Sequence, residues 1–141
     1  DGGRTLLRQI AKIEGRVEAI TTGIKDRAPN AQVVVVNYPQ LLPATGTCPD
    51  RIPLAAGDYA YVRTINEALS AAVATGGKAG GAEVVDLFAA SEGHDICAAE
   101  PWVNGIQTQD DAALALHPFL AGQQAVADLI LALLPDGTTP S

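Results

Sequence analysis

Leu6, Ile10, Ile13, Val17, Ile20 and Ile24 recur in alternating steps of four and three, which places them on one face of a helix spanning about 5–27. Arg8, Lys12, Glu14, Arg16, Glu18 and Lys25 fall largely off that face. Gly15 weakens the middle slightly, and Pro29-Asn30 ends the helix. The heptad-like spacing also fits a two-chain coiled coil, but the segment is short for one and its flanking charges are irregular.

Val33-Val34-Val35-Val36 comes next, four β-branched residues with no polar alternation. A strand of this kind has to be buried on both faces, as in a parallel sheet covered by helices. Tyr38-Pro39 ends it, and a loop carrying Pro39, Pro43, Pro49 and Pro53 is too proline-rich for a sheet. Asp58 reads as the N-cap of a second helix with an apolar stripe of Val62, Ile65, Leu69, Ala72 and Val73, stopped by Gly76-Gly77. Gly76-Gly77 and Gly80-Gly81 lack the strand, glycine loop and helix order and the lysine of a phosphate loop, so they read as a flexible turn.

Glu83-Val84-Val85-Asp86-Leu87 predicts a second strand, which completes a βαβ unit with a right-handed crossover. The stretch 88–116 is long and irregular, and long loops after parallel strands are candidates for function. A last helix is expected from Pro118, burying Val126, Leu129, Ile130, Leu133 and Leu134, with Pro135 and Gly137 ending it and a frayed tail to Ser141. Two parallel strands do not make a stable sheet by themselves. The inventory is therefore that of the back half of an α/β/α layered protein.

Composition narrows the partners. One domain is expected from 141 residues, and with 48% hydrophobic but only 4% aromatic residues its core must be aliphatic. The formal net charge of -7 argues against nucleic acid and anionic membrane, which need clustered basic residues. No stretch is long and apolar enough to span a bilayer; the most apolar window, 125–134, is short and interrupted by Asp128. Cys48 and Cys97 are the only cysteines, both in irregular stretches; such a pair suits a disulfide in an exported protein, the alternative being two separate buried thiols. They are too few for a four-ligand zinc site. No signal peptide stands at Asp1 and the chain has no methionine, so Asp1 reads as a cut boundary.

The candidate chemistry centres on His117. It ends an irregular stretch, Pro118 follows, and a helix begins, so the imidazole sits on a loop at a helix mouth. The plainer alternative is a histidine that caps or packs there. His94, beside Asp95 and near Cys97, reads as a loop brace. Asp86 at the strand end reads as a loop-ordering or N-capping carboxylate, and Asp110 and Asp111 as a solvated acidic pair, either of which could reach His117. Trp102 either lines an acyl pocket or packs the long loop onto the core. The serines are Ser70, Ser91 and Ser141.

The segments 28–39, Gly93-His94-Asp95-Ile96-Cys97, Pro101-Trp102-Val103-Asn104 and His117-Pro118 occur in one order. Together they resemble the secreted bacterial SGNH (GDSL) ester hydrolases, the branch of extracellular lipases and phospholipases from high-GC bacteria. The resemblance covers nearly the whole chain. It implies a flavodoxin-like three-layer α/β/α fold with a parallel sheet, and residues 1–141 as the C-terminal part of a single hydrolase domain. It implies His117 as general base, no metal and no organic cofactor.

The family's Gly-Asp-Ser nucleophile block and its Gly-x-Asn-Asp oxyanion block have no counterpart here. None of the three serines sits in a Gly-Asp-Ser context, and neither Asn37 nor Asn104 sits in a Gly-x-Asn-Asp context. The nucleophile is therefore expected from an N-terminal segment of the same enzyme, possibly a separate chain. Where the family usually has an aspartate, three residues before the histidine, this chain has Leu114. A backbone carbonyl, of Leu114 or Ala115, is the expected orienting group, giving a Ser–His dyad. The implied function is carboxylic ester hydrolysis, of acyl ester or phospholipid, by an extracellular enzyme; the alternative is a non-catalytic fragment or a lipid- or glycan-binding remnant of the fold.

Overall fold

The computed structural model describes residues 3–134. Elements run α1 (Arg4–Arg27), β1 (Val34–Val36), α2 (Asp58–Ala79), β2 (Glu83–Val85), α3 (Leu87–Ala90) and α4 (Leu120–Leu131). β1 and β2 pair in parallel, with Val34 opposite Glu83, Val35 opposite Val84 and Val36 opposite Val85. The α/β class expected from the pattern is the one adopted, and the expected βαβ order is present. Among the described residues the sheet has these two strands alone.

The glycines of α2 are what let its neighbours close in. Rather than stopping the helix, Gly76 and Gly77 lie inside it, and it runs on to Ala79. A Cβ on Gly76 would fall against the Glu14 carbonyl oxygen of α1, and one on Gly77 would press on Val35 of β1 at 3.1 Å. Gly80 just past the helix meets Thr21 of α1 in the same way. The turn is confined to Gly80-Gly81, where Gly81 has φ +80°. Thr21 is buried and turns its hydroxyl back onto the Val17 and Glu18 carbonyls. Thus α1 packs mainly along α2, and α2 lies on both strands.

Other boundaries also differ from expectation. The α2 N-cap is Gly57, and Asp58 is a first-turn carboxylate beside the exposed N–H groups rather than the cap. α4 begins at Leu120, because Pro118 is drawn into an antiparallel bridge with Val103 and Phe119 stays extended. The second strand stops at Val85, since Asp86 caps α3 by accepting from the Ala89 N–H at 3.2 Å. Pro135, Gly137 and the tail to Ser141 lie outside the described residues.

The apolar stripes are only partly covered. On α1, Ile10 is buried, while Leu6 (45% exposed), Ile20 (62%) and Ile24 (42%) face outward. β1 is half-buried throughout, not buried on both faces, because no further strand or helix covers it among the described residues. On α4, Val126, Leu129 and Ile130 are half-buried, as are Leu133 and Leu134 after it.

The most buried cluster lies elsewhere, under the loops: Leu42, Ile52, Tyr59, Ile96 and Val103. The Cys48–Cys97 disulfide, with a sequence separation of 49, staples the two loops that, with Tyr59 of α2, supply this cluster. Loop-closure entropy alone makes such a link worth about 4 kcal/mol. Tyr59 donates its hydroxyl to the Ile52 carbonyl at 2.6 Å, so the phenol enters this core with its polar end satisfied.

Two glycine substitutions are expected to act in opposite directions. Gly76→Ala forces a methyl against helix backbone and should lower stability by about 1–3 kcal/mol. Gly15→Ala, in the exposed middle of α1 with nothing near its Cβ position, should raise it by about 0.5–1 kcal/mol. Urea unfolding midpoints of the two variants check both signs.

Candidate active site

Residues 102–105 lie antiparallel to residues 116–119. The Phe119 N–H donates to the Trp102 carbonyl (2.9 Å), Val103 bridges Pro118, the Asn104 N–H donates to the His117 carbonyl (2.9 Å), and the Leu116 N–H donates to the Gly105 carbonyl (2.9 Å). This ladder presents His117 at the edge of the loop layer, exposed to solvent. Its ring Nδ1 lies 2.8 Å from the Ala115 carbonyl oxygen. A carbonyl cannot donate, so Nδ1 carries the proton and Nε2 is left as a free acceptor in the neutral ring.

The Leu114 carbonyl is engaged otherwise: it accepts from the backbone N–H of His117 (3.1 Å) and from the side chain of Asn104 (3.1 Å). Asp110 and Asp111 are exposed, and the bond at Nδ1 goes to backbone rather than to either carboxylate. Between Ala115 and His117, Leu116 sits at φ +60°, the one non-glycine residue with positive φ among those described. That conformation costs a β-carbon-bearing residue about 1–2 kcal/mol. The ladder on one side and the Ala115 N–H to Thr108 Oγ1 bond (3.2 Å) on the other hold it in place.

A groove of about 670 Å³ opens beside His117, lined by Val62 and Leu69 of α2, Val126 of α4, and Trp102 and Leu116. Its walls are largely apolar and its size is that of a site for a small organic ligand. It lies past the carboxyl end of β1, with Tyr38 and Pro39 on its rim, which is where open parallel sheets place ligands.

Trp102 is therefore a groove wall, and His94 braces it. The two rings stack at 4.3 Å with an 8° tilt, while His94 Nδ1 donates to the Glu100 carbonyl at 2.8 Å. Asn37 and Asp86 do ordering work at the strand ends: Asn37 donates to Asp86 Oδ1 (2.9 Å) and accepts from the Phe88 N–H (3.1 Å). Ser70 and Ser91 are buried, and each gives its hydroxyl to a backbone carbonyl, of Tyr38 and Phe88 respectively. Ser141 lies outside the described residues. No group of three or more His, Cys, Asp or Glu side chains is arranged to hold a metal among the described residues.

Asn104 belongs to one of the segments that carry the resemblance, but its sequence context, which is not that of an oxyanion block, gives it no role. Its position in Pro-Trp-Val-Asn-Gly, beside a buried valine, was the available signal. The strain at Leu116 left no trace in the sequence, since leucine has no preference for positive φ.

The profile of the GDSL-like lipase/acylhydrolase family matches residues 3–125, and the chain belongs to that family. It is 36% identical over 114 residues to Lipase 2 of Streptomyces coelicolor, covering 75% of this chain and 37% of that protein. Lipase 1 of the same organism is 28% identical over 111 residues, covering 79% of this chain and 40% of that one. The chain therefore spans well under half the length of these curated relatives.

Among solved structures it superposes on phospholipase A1 from Streptomyces albidoflavus NA297 with a TM-score of 0.74 at 24% identity, covering 86% of this chain and 50% of that one. The extracellular lipase of Streptomyces rimosus gives a TM-score of 0.70 at 23% identity, covering 91% and 57%. Over this span the fold is accordingly the one it shares with these two proteins, an α/β fold as the sequence motifs implied.

The seating of the groove wall on α4 is directly testable. A Cβ on Gly122 would lie 2.6 Å from the Trp102 carbonyl oxygen and 3.1 Å from its Cβ. Gly122→Ala should push the start of α4 off the ladder, lower stability by about 1–3 kcal/mol, and change the emission of Trp102, the only tryptophan in the chain. Fluorescence-monitored urea unfolding reads both effects.

Proposed function

We propose that this chain is the base-bearing part of a carboxylic ester hydrolase that works through an acyl-enzyme. The observation that carries the reading is His117, with Nδ1 fixed on the Ala115 carbonyl and Nε2 free beside an apolar groove. A serine from a segment outside residues 1–141 attacks the ester carbonyl carbon as His117 Nε2 takes its proton. The imidazolium then gives that proton to the departing alcohol oxygen, and the serine ester remains. A water molecule, deprotonated by the same nitrogen, attacks the acyl carbon, and the imidazolium returns that proton to the serine oxygen as the acid leaves.

Ala115 supplies orientation and tautomer without the negative charge of a carboxylate, so the pair is a dyad rather than a triad. Oxyanion donors, like the serine, come from outside this chain. No metal or organic cofactor takes part in this scheme. The groove suits an apolar acyl chain, and the relatives, which include a protein titled phospholipase A1, support a lipid ester substrate. The Cys48–Cys97 disulfide supports an exported, extracellular setting.

The same reading gives the chain a partner, the N-terminal segment that bears Gly-Asp-Ser. Half-buried β1 and the exposed Leu6, Ile20 and Ile24 of α1 are apolar surfaces of the kind such a segment covers. The chain alone is then inactive toward esters.

Two experiments test this. Hydrolysis of a p-nitrophenyl ester should require both the Gly-Asp-Ser segment and this chain, and His117→Ala should lower kcat/KM of the complete protein by at least about 100-fold. Wild-type hydrolysis by His117→Ala contradicts the reading. Separately, decyl phosphocholine below its micellar concentration should shift Trp102 emission saturably. A shift without any ester hydrolysis in the complete protein would leave a lipid-binding remnant instead of an enzyme.

A further inference from the structure

Asn104 is 2% exposed and stands at the centre of the loop that carries His117. Its side-chain amide nitrogen donates to three carbonyl oxygens, those of Gln107 (2.8 Å), Ala113 (2.8 Å) and Leu114 (3.1 Å). Two N–H groups serve three acceptors, so at least one hydrogen is shared. Its side-chain oxygen accepts from Gln109 Nε2 at 2.9 Å, which fixes the amide's orientation. Its backbone N–H, meanwhile, donates to the His117 carbonyl at 2.9 Å.

One residue therefore grips both ends of the four-residue turn 114–117. The side chain holds Leu114 and the main chain holds His117. The Ala115 carbonyl, which takes the imidazole's Nδ1–H, lies between these two fixed points, and so does Leu116 with its unfavourable φ of +60°. A turn containing such a residue persists only where its surroundings over-determine it. Without the amide, Leu114 loses a donor and the route from Gln107 to Leu114 loses its common anchor. Leu116 is then free to relax to negative φ, which swings the neighbouring Ala115 peptide.

We infer that Asn104 is the positioning residue of the base: by clamping the Leu114 carbonyl it aims the Ala115 carbonyl at His117 and holds the imidazole in the Nδ1–H tautomer. The catalytic consequence rests on the ester-hydrolase reading above; the tautomer itself does not. Any donor lost here acts on His117 through backbone, and it reaches the groove only through Leu116.

The test uses the complete protein with histidine labelled in this chain. Long-range nitrogen–carbon NMR correlations distinguish the two tautomers, and His94 and His117 are the only two histidines of the chain. Wild-type His117 should be mainly Nδ1–H. Asn104→Asp, near in volume but facing carbonyls with an acceptor, should move His117 toward the Nε2–H form favoured by an unconstrained histidine side chain. His94, held by Glu100 and Trp102, should keep its spectrum and so report an intact fold.

Gln109→Ala, at an exposed residue, removes the donor to the Asn104 side-chain oxygen while leaving Asn104 itself in place, and should produce a smaller shift in the same direction. This second variant keeps the question decidable if Asn104→Asp does not fold. In the complete enzyme, Asn104→Asp should lower kcat by about 10- to 100-fold with KM changed little, as for a misplaced catalytic group.

A wild-type His117 that is mainly Nε2–H overturns the inference. So does a folded variant whose His117 tautomer is unchanged. If the tautomer shifts but His117→Ala retains full ester hydrolysis, Asn104 still positions the imidazole, and it is the hydrolase reading that falls.

Discussion

The short antiparallel ladder between residues 102–105 and 116–119 is the interaction on which the rest of the site depends. It joins the loop stapled by Cys97 to the loop that carries the imidazole. Phe119 is held extended by it, so α4 begins two residues later than a proline-started helix would. Trp102 is set by it against Gly122 on one side and the groove on the other. Buried backbone groups must be paired, and in a segment with neither long strand nor long helix this ladder and Asn104 do the pairing. His117 can therefore stand exposed on a loop and still have a fixed direction.

Rigidity is distributed unevenly. The loop side has its own buried cluster and a disulfide, and among the described residues every buried side-chain nitrogen and oxygen is hydrogen-bonded. The sheet side is sparse: two strands of three residues, with α1 seated through the glycines of α2 rather than on a broad sheet. Close helix approach through Gly76 and Gly80 brings α1 alongside α2 yet leaves the flank bearing Leu6, Ile20 and Ile24 uncovered. The apolar groove beside His117 and the uncovered strand and helix surfaces fit the proposal that another segment completes this site.

Long, strongly periodic elements were legible from the residues. Helix α1, the parallel pair of valine-rich strands and the capping role of Asp86 follow from periodicity and residue type. Four spaced segments carried the family. What failed was anything decided by a distant partner. Gly76 and Gly77 looked like a stop signal because nothing local reveals that Glu14 and Val35 will press against them. Pro118 looked like a helix start because its bridge to Val103 is formed across the irregular chain 104–117. At the site, a backbone acceptor for His117 could be anticipated from the leucine where the family has an aspartate. Which carbonyl faces Nδ1 depends on the turn at Leu116 and on Asn104, and that geometry exists only once the loop is folded.

The most direct measurement is the intact mass of each polypeptide after treating the complete protein with a serine-reactive alkyl fluorophosphonate. The 14.5 kDa chain should stay unmodified. The adduct should fall on the Gly-Asp-Ser segment, with labelling that is lost when His117 is replaced by alanine. An adduct on Ser70, Ser91 or Ser141 of this chain would contradict it, as would labelling of the other segment that proceeds equally well without His117.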